Sequence, residues 1–232
     1  MLSRQEKKQF NRYMSQFENF RRVELKNGVD PEPFRMPLFS KNFAKRVGVL
    51  SKYRHITQYL KVNSKRGKAL DFGTGFGAFL PVLSELNDEV IAVDAFDDQL
   101  RAAKDLCLYM GLKNVTVLKV ARINGLSGFE DSTFDTILAT DVLEHNLNYK
   151  DIVVKLKRVL KTGGPLIVSL PREHLLYRIF ARREVEHDRE RGHVYHSSKG
   201  ADEVELFLLK HFDLELKESA HTFIHYTLLR GG

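Results

Sequence analysis

The chain has 232 residues, of which 43% are hydrophobic and 29% are charged. This composition is too apolar for a disordered chain and too mixed for a fibrous one, and it suits one globular core. No run approaches the roughly 20 apolar residues of a membrane-spanning helix, and the first ten residues lack the apolar stretch of a secretory signal. The single cysteine, Cys107, excludes an internal disulfide and a cysteine-based zinc site. We therefore expect a cytoplasmic protein.

Positive charge is concentrated near the start of the chain. Residues 1–66 hold 16 of the 37 Lys and Arg residues but only 5 of the 30 Asp and Glu residues, so the rest of the chain is mildly acidic. A basic segment of this kind favours a phosphate-bearing or membrane-surface partner. A merely solvated basic face is the alternative.

Two helices are predicted before residue 66, over 1–27 and 41–61, with Pro31 and Pro33 breaking the helix between them. After residue 67, short apolar runs alternate with helical segments. The predicted strands are 68–72, 89–93, 115–120, 134–139 and 165–170, and the predicted helices are 76–86, 97–110 and 149–160. Such alternation predicts a parallel sheet with helices on both faces.

The last part of the chain has a different pattern. It predicts a helix over 202–212 and then two strands, 213–218 and 222–229. The link between these strands is too short for a parallel crossover, so we expect them to pair antiparallel.

A glycine-rich loop follows the first predicted strand, in the sequence Asp71-Phe72-Gly73-Thr74-Gly75-Phe76-Gly77-Ala78. Glycines at a strand-to-helix junction let the backbone approach a ligand closely. The loop also satisfies the dinucleotide pattern G-x-G-x-x-G/A. However, Asp71 would repel a pyrophosphate, whereas it would accept a hydrogen bond from a cationic amine.

A second acidic residue, Asp94, ends the second predicted strand. A carboxylate there can accept hydrogen bonds from the hydroxyls of a ribose. The alternative is that Asp94 caps the helix that starts near Asp97. With the glycine loop beside it, we favour the ribose role.

Five segments in order resemble the class I S-adenosylmethionine-dependent methyltransferases, in particular the small-molecule branch typified by the methyltransferases of quinone biosynthesis. They are LDFGTGFG at 70–77, VD at 93–94, STFDTIL at 132–138, DVLEH at 141–145 and LKRVLKTGG at 156–164. The resemblance covers roughly residues 66–230. It implies a Rossmann-like α/β fold with a seven-stranded, mostly parallel sheet, an antiparallel last strand and extra N-terminal helices. Residues 66–232 would be the methyltransferase domain, and residues 1–65 a helical extension that caps the substrate.

The resemblance also implies a cofactor, S-adenosylmethionine, which is converted to S-adenosylhomocysteine. The residues it assigns to the cofactor are Gly73, Thr74, Gly75 and Gly77 beneath it, Asp71 at the methionine amine, Asp94 at the ribose, Ala95, Phe96, Arg122 and Ile123 on the adenine side, and Asp141 and Val142 after the fourth strand. The third strand departs from the family, which often has an acidic residue there. Because the Arg122 side chain cannot accept a hydrogen bond, either its backbone or Asn124 would contact the adenine.

The predicted catalytic residues are Glu144 and His145, which follow the fourth strand. A base is needed only if the acceptor is a phenol, an alcohol, a protonated amine or a weakly acidic carbon. The alternative is that both residues only orient the loop and the cofactor. In some relatives the positions of Asp141, Glu144 and His145 bind a divalent metal. We expect no metal here, because a Glu-His pair at this place is common in relatives without one.

The methyl acceptor is predicted to be a small molecule or a lipid-like compound. A segment after the fifth strand, 171–183, resembles a small interfacial helix that would cover the acceptor and contact a membrane surface peripherally. Its apolar residues are Leu175, Leu176, Ile179 and Phe180, its arginines are Arg178, Arg182 and Arg183, and His193 and His196 follow it. A helix packed on the core is the alternative. We expect this segment and the first helix, with Phe10, Phe17, Phe20, Arg21 and Arg22, to recognise the acceptor together.

Two other functions are compatible with the sequence. An RNA methyltransferase would use the basic N-terminal region to bind phosphates. No RNA-binding module and no Asn/Asp-Pro-Pro-aromatic motif supports it. A non-catalytic scaffold is disfavoured by the complete glycine loop and by Asp94. The sequence leaves the oligomeric state open.

Overall fold

The computed structural model describes residues 4–26, 43–63, 66–120, 126–171, 199–220 and 223–231. The strands are β1 Lys68–Phe72, β2 Glu89–Asp94, β3 Val115–Lys119, β4 Thr136–Thr140, β5 Pro165–Pro171, β6 Asp213–Ala220 and β7 Phe223–Leu229. The helices in these ranges are α1 Arg4–Lys26, α2 Phe43–Asn63, α3 Leu80–Leu86, α4 Asp97–Met110, α5 Tyr149–Val159 and α6 Lys199–His211. The helix predicted over 76–86 begins only at Leu80, because the glycine loop extends to that point and Pro81 fits the first helical turn.

The seven strands form one sheet in the order β3-β2-β1-β4-β5-β7-β6. The pairs among β1 to β5 are all parallel, whereas β7 is antiparallel to both β5 and β6. This confirms the predicted fold, including the antiparallel last strand. Because β7 runs opposite to β5, its first residue, Phe223, pairs with Pro171 at the end of β5. The start of β7 therefore lies at the same edge as the ends of the parallel strands.

Two apolar cores cover the two faces of the sheet. Adjacent residues of β1 divide between them: Leu70 packs with residues of α5 and α6, and Ala69 packs with residues of α1 to α4. This is the alternation of side chains that a strand imposes. Helices therefore bury both faces of the sheet, as predicted.

The first two helices share the second of these cores. Phe17 of α1 is fully buried, with its ring edge-on to Tyr53 of α2 and to Phe76 of the glycine loop, at centroid distances of 6.2 and 6.0 Å. Tyr53 stacks on Phe79 at 4.9 Å. Phe17 and Phe20 were predicted to contact the acceptor; instead, both side chains are buried in the second core, where the ring of Phe20 lies 5.5 Å from that of Tyr109 of α4. The side chain of Phe10 lies outside the described residues.

Charges on the exposed side of α1 pair with each other. Arg21 and Arg22 lie 3.6 and 3.8 Å from the carboxylate of Glu18, one turn earlier on the helix. Exposed pairs of this kind contribute little to stability. Within the part of the chain that the structure describes, no helix is long and apolar enough to cross a membrane.

Candidate functional site

The glycine loop joins β1 to α3 at the carboxyl edge of the sheet. The backbone N–H groups of Gly73 and Thr74 both donate to the carbonyl oxygen of Val93 at the end of β2, at 2.9 and 3.0 Å. Gly73, Gly75 and Gly77 have φ angles of +77°, +55° and +92°. Residues with a Cβ rarely adopt such angles, so the backbone favours glycine at all three positions.

The three glycines differ in what surrounds them. A Cβ on Gly73 would lie 2.7 Å from Cγ2 of Val142, and one on Gly77 would lie 2.7 Å from Cδ1 of Leu80. At Gly75 the nearest atom would be Oε1 of Gln99, 3.7 Å away. Gly73 and Gly77 are therefore tightly packed against the protein, whereas the space beside Gly75 is open to a ligand.

Asp71, at the end of β1, is a buried carboxylate. Its Oδ2 accepts a hydrogen bond of 2.7 Å from the hydroxyl of Thr74. Burial raises the pKa of Asp71 to about 7, the nearby charge of Asp94 adds to this, and the bond from Thr74 opposes it. None of the ion pairs found in the described ranges involves Asp71. A cationic group bound beside it would stabilise its charged form.

Asp94, at the end of β2, organises the backbone around the loop. Its Oδ2 accepts from the N–H of Gly75 at 2.9 Å, and its Oδ1 accepts from the N–H groups of Ala95 and Phe96 at 2.7 and 3.1 Å. Burial raises the pKa of Asp94, and these three hydrogen bonds oppose the rise. A carboxylate oxygen can accept two hydrogen bonds, so Oδ2 keeps capacity for a ligand hydroxyl.

The alternative role predicted for Asp94, as a helix cap, does not hold. The residue at the N-cap of α4 is Phe96, and no side chain caps this helix. Asp94 therefore remains available to the site. The predicted adenine-side residues Arg122 and Ile123, together with Asn124, lie outside the described residues, as do the predicted lid over 172–183 and His193 and His196.

A second polar cluster lies at the ends of β4 and β5, next to the glycine loop. Asp141 follows β4 with a φ of +54°, and its two carboxylate oxygens accept from different groups. Lys52 of α2 donates to Oδ2, and the hydroxyl of Ser169 donates to Oδ1 at 2.6 Å. The buried ammonium of Lys52 also lies 4.1 Å from the ring centroid of Phe223.

The predicted catalytic pair lies on a 3-10 turn, Leu143–His145, that follows Asp141. Glu144 is buried; its Oε1 lies 3.8 Å from Nε2 of His145, and its Oε2 has no hydrogen-bond partner. Burial raises the pKa of Glu144 to about 8; the charge of Asp141 adds to this, and that of Lys52 opposes it. Burial therefore favours the protonated form of Glu144.

The three positions weighed as metal ligands do not form a metal site. Both carboxylate oxygens of Asp141 are already engaged, by Lys52 and by Ser169. In the described ranges, no three His, Cys, Asp or Glu side chains lie close enough together to hold an ion. The donors of Asp141, Glu144 and His145 therefore do not fit a divalent metal.

The sequence interpretation missed two residues of this cluster, Lys52 and His225. His225 of β7 is buried, and neither of its ring nitrogens has a hydrogen-bond partner. Burial lowers its pKa to about 4, and the charges of Lys52 and His55 add to this. Lys52 precedes Ile56 by four residues and Leu60 by eight, so it lies on the same, buried side of α2. His225 lies inside an apolar strand. A polar residue among buried apolar ones is unusual, and this was the signal in the sequence that could have identified both residues.

The comparisons with known proteins identify a methyltransferase domain in residues 70–168. The chain is 30% identical over 107 residues to a phosphatidylethanolamine N-methyltransferase of Cereibacter sphaeroides, covering 46% of this chain and 52% of the relative. It is 31% identical over 120 residues to a demethylmenaquinone methyltransferase of Tropheryma whipplei, covering 50% and 48%. Protein-L-isoaspartate O-methyltransferases match to a similar extent, so the relatives alone do not determine the acceptor.

The chain therefore spans about half the length of the curated relatives it matches. Among solved structures, it is similar to a SAM-dependent methyltransferase from Aquifex aeolicus with a TM-score of 0.57 and 22% identity, covering 90% of this chain and 97% of the other. That likeness supports the fold. Residues 70–168, which match the methyltransferase domain, also contain all five motifs, and this agrees with the predicted resemblance to the class I S-adenosylmethionine-dependent methyltransferases.

Proposed function

We propose that this protein transfers a methyl group from S-adenosylmethionine to a small-molecule or lipid-like acceptor, as an enzyme of class EC 2.1.1.-. The observation that carries the proposal is the adjacency of two sites at one edge of the sheet. Val142 packs against Gly73 of the glycine loop, and its neighbour Asp141 belongs to the second polar cluster. A cofactor bound to the glycine loop would therefore lie beside a methyl acceptor bound at the second polar cluster.

The residues of the loop fit the cofactor of this family. Asp71 is a buried carboxylate without an ion-pair partner in the described ranges, and it suits the cationic amine of the methionine part. Asp94 Oδ2 keeps an acceptor position for a ribose hydroxyl, and Gly75 leaves open space beside them. When bound, the cofactor supplies a methyl group activated by a sulfonium. The protein then has to align the acceptor with that group and exclude water.

Glu144 is the proposed base for an acceptor that must lose a proton. Its Oε2 is unpartnered and therefore able to bond an acceptor, and its charged form becomes abundant as the pH rises towards about 8. A base whose pKa lies near the working pH is effective in general-base catalysis. His145, within 3.8 Å of Glu144, is the proposed partner that orients it.

The N-terminal segment 1–65 is the proposed acceptor cap of the methyltransferase domain 66–232. Lys52 and His55 of α2 support this role, because they contact Asp141 and Glu218 near the second polar cluster. Arg21 and Arg22 share the single carboxylate of Glu18, so α1 keeps positive charge and the RNA alternative needs its own test. We favour the small acceptor because phosphatidylethanolamine and demethylmenaquinone methyltransferases are among the relatives.

Two measurements test the proposal. Calorimetric titration of the full chain should show binding of S-adenosylhomocysteine and none of NAD. A cell extract incubated with the protein and labelled S-adenosylmethionine, then fractionated, should carry the label in small molecules or lipids. Tight NAD binding would contradict the cofactor assignment, and label confined to RNA or protein would contradict the acceptor assignment.

A further inference from the structure

We propose that His225 on β7 binds the methyl acceptor together with Glu144, and that the group they hold is an uncharged hydroxyl. This inference rests on the proposed methyltransferase function and deepens it, by naming an acceptor-binding residue and a class of acceptor. Neither the motifs nor the family comparisons point to His225.

The first argument is the unpaired state of two buried side chains. His225 is 5% exposed and Glu144 is 6% exposed, yet both ring nitrogens of His225 and Oε2 of Glu144 lack hydrogen-bond partners. A buried polar group without a partner is unfavourable, because its lost hydrogen bonds to water are not replaced, so such groups are rare unless a ligand or water completes them. Both residues lie close enough to the ion pair of Lys52 and Asp141 for its charges to act on them.

The second argument is position. His225 pairs with Ser169 of β5 in the sheet, the hydroxyl of Ser169 bonds Asp141, and the next residue, Val142, packs against Gly73. An unbroken series of contacts thus connects His225 with the cofactor loop. A group bound at His225 would lie on the acceptor side of that loop.

The third argument is charge. Lys52 and Asp141 neutralise each other, burial favours the protonated, neutral form of Glu144, and it favours the neutral form of His225, whose pKa is lowered to about 4. His55, whose ring centroid lies 6.3 Å from that of His225, bonds Glu218. An anion would find no unpaired cation among these groups. A hydroxyl both donates and accepts a hydrogen bond, which matches one unpartnered atom from each of His225 and Glu144.

Phenol and benzoate are suitable probes, because they differ mainly in replacing a neutral hydroxyl by a carboxylate. Each is titrated into the full chain saturated with S-adenosylhomocysteine, and histidine resonances are followed by NMR. Phenol should shift the His225 signal, which is assigned by its loss in a His225→Gln variant. Benzoate should bind at least tenfold more weakly than phenol.

Variants separate the binding role of His225 from a structural one. His225→Leu should lose at least tenfold in phenol affinity, whereas His225→Gln, which keeps a donor and an acceptor, should stay within threefold. Thr227→Val is the matched control, a buried polar residue on the same strand and face, and should stay within twofold. If His225→Leu does not fold, the wild-type NMR shift decides the matter.

Three results would overturn the inference: an unmoved His225 signal at saturating phenol, equal phenol affinity in folded His225→Leu, or tighter binding of benzoate than of phenol. The titrations are repeated without S-adenosylhomocysteine. If that ligand does not bind at all, the proposed function fails, while the phenol titration alone still tests the role of His225.

Discussion

Lys52 of α2 and Asp141 at the end of β4, 89 residues apart in the sequence, form an ion pair between the N-terminal helices and the candidate site. Asp141 has a φ of +54°, a backbone conformation that residues with a Cβ seldom adopt, and its bonds to Lys52 and Ser169 hold its side chain there. Strained residues of this kind persist only where surrounding contacts hold them. The N-terminal helices therefore help to shape the site as well as cover it.

Replacing Lys52 by Met should destabilise the protein strongly, because Asp141 would lose the cation that compensates its charge. We expect a loss of about 3 kcal/mol in the free energy of unfolding, measured in denaturant. Lys52→Met combined with Asp141→Asn should recover part of this loss. The control is Lys119→Met, which breaks the exposed pair with Asp97 and should cost less than about 1 kcal/mol. Equal costs for the two single variants would contradict a buried role for Lys52.

Gly75→Ala should weaken cofactor binding while keeping the fold. The added Cβ meets no atom closer than 3.7 Å, so the stability cost is that of a left-handed conformation, about 1–2 kcal/mol. Gly111, at the end of α4, has a similar φ of +67° with open space around it. Gly111→Ala is therefore the matched control, with a similar stability cost and unchanged affinity for S-adenosylhomocysteine by calorimetry. If both variants bind alike, Gly75 does not face the ligand.

Asp94→Ala should lower the affinity for S-adenosylhomocysteine by about 1.5–3 kcal/mol. Two effects contribute: the loss of the acceptor for the ribose, and the loss of the bond that holds the N–H of Gly75. Asp97→Ala, three residues later on an exposed helix start, should leave the affinity unchanged. Asp94→Asn should fall between the two, since its amide keeps one acceptor oxygen. If Asp94→Ala binds S-adenosylhomocysteine with unchanged affinity, Asp94 does not take part in cofactor binding.

The sequence predicted the existence of all seven strands and their sequence along the chain, and the predicted range of α4 agrees with the structure to the residue. Those predictions rest on apolar periodicity and on the glycine loop. Both are local patterns, because residues close together in the chain form them. The pairing of Lys52 with Asp141 and the approach of His225 to them depend on how α2 and β7 pack on the sheet. Residues so distant in the chain leave no common motif, so the acceptor side of the site could not be derived in the same way. The packing of Phe17 and Phe20 was missed for the same reason, since an apolar helix face does not specify what covers it.

Asp71→Asn should stabilise the ligand-free protein at high pH. Because burial raises the pKa of Asp71 from 3.8 to about 7, the native state binds a proton more readily than the unfolded chain between these values. The contribution of Asp71 to stability is therefore full below about pH 4 and is lost as the pH rises through about 7.

The uncharged Asn side chain removes this dependence, so the gain in melting temperature over the wild type should be larger at pH 8 than at pH 5. Asn cannot pair with a cationic amine, however, and S-adenosylhomocysteine should bind to the variant more weakly by about 1.5–3 kcal/mol. Calorimetry at pH 8 measures this loss. An equal change in melting temperature at both pH values would show that Asp71 is charged in the native state throughout.

Phe17→Ala should impair both stability and cofactor binding, although Phe17 lies on α1, far in sequence from the loop. Its ring is fully buried against Tyr53 and against Phe76, which stands between two of the loop glycines. Truncating a buried Phe costs about 3–5 kcal/mol, and the cavity left here would free Phe76 to move with the loop. Denaturant unfolding and calorimetric titration of S-adenosylhomocysteine measure the two effects.

Val23→Ala on the same helix is the control, because Val23 is 42% exposed and its truncation should change stability by less than about 0.5 kcal/mol. A Phe17→Ala protein that loses stability but binds the ligand at wild-type affinity would show that α1 supports the fold without supporting the loop.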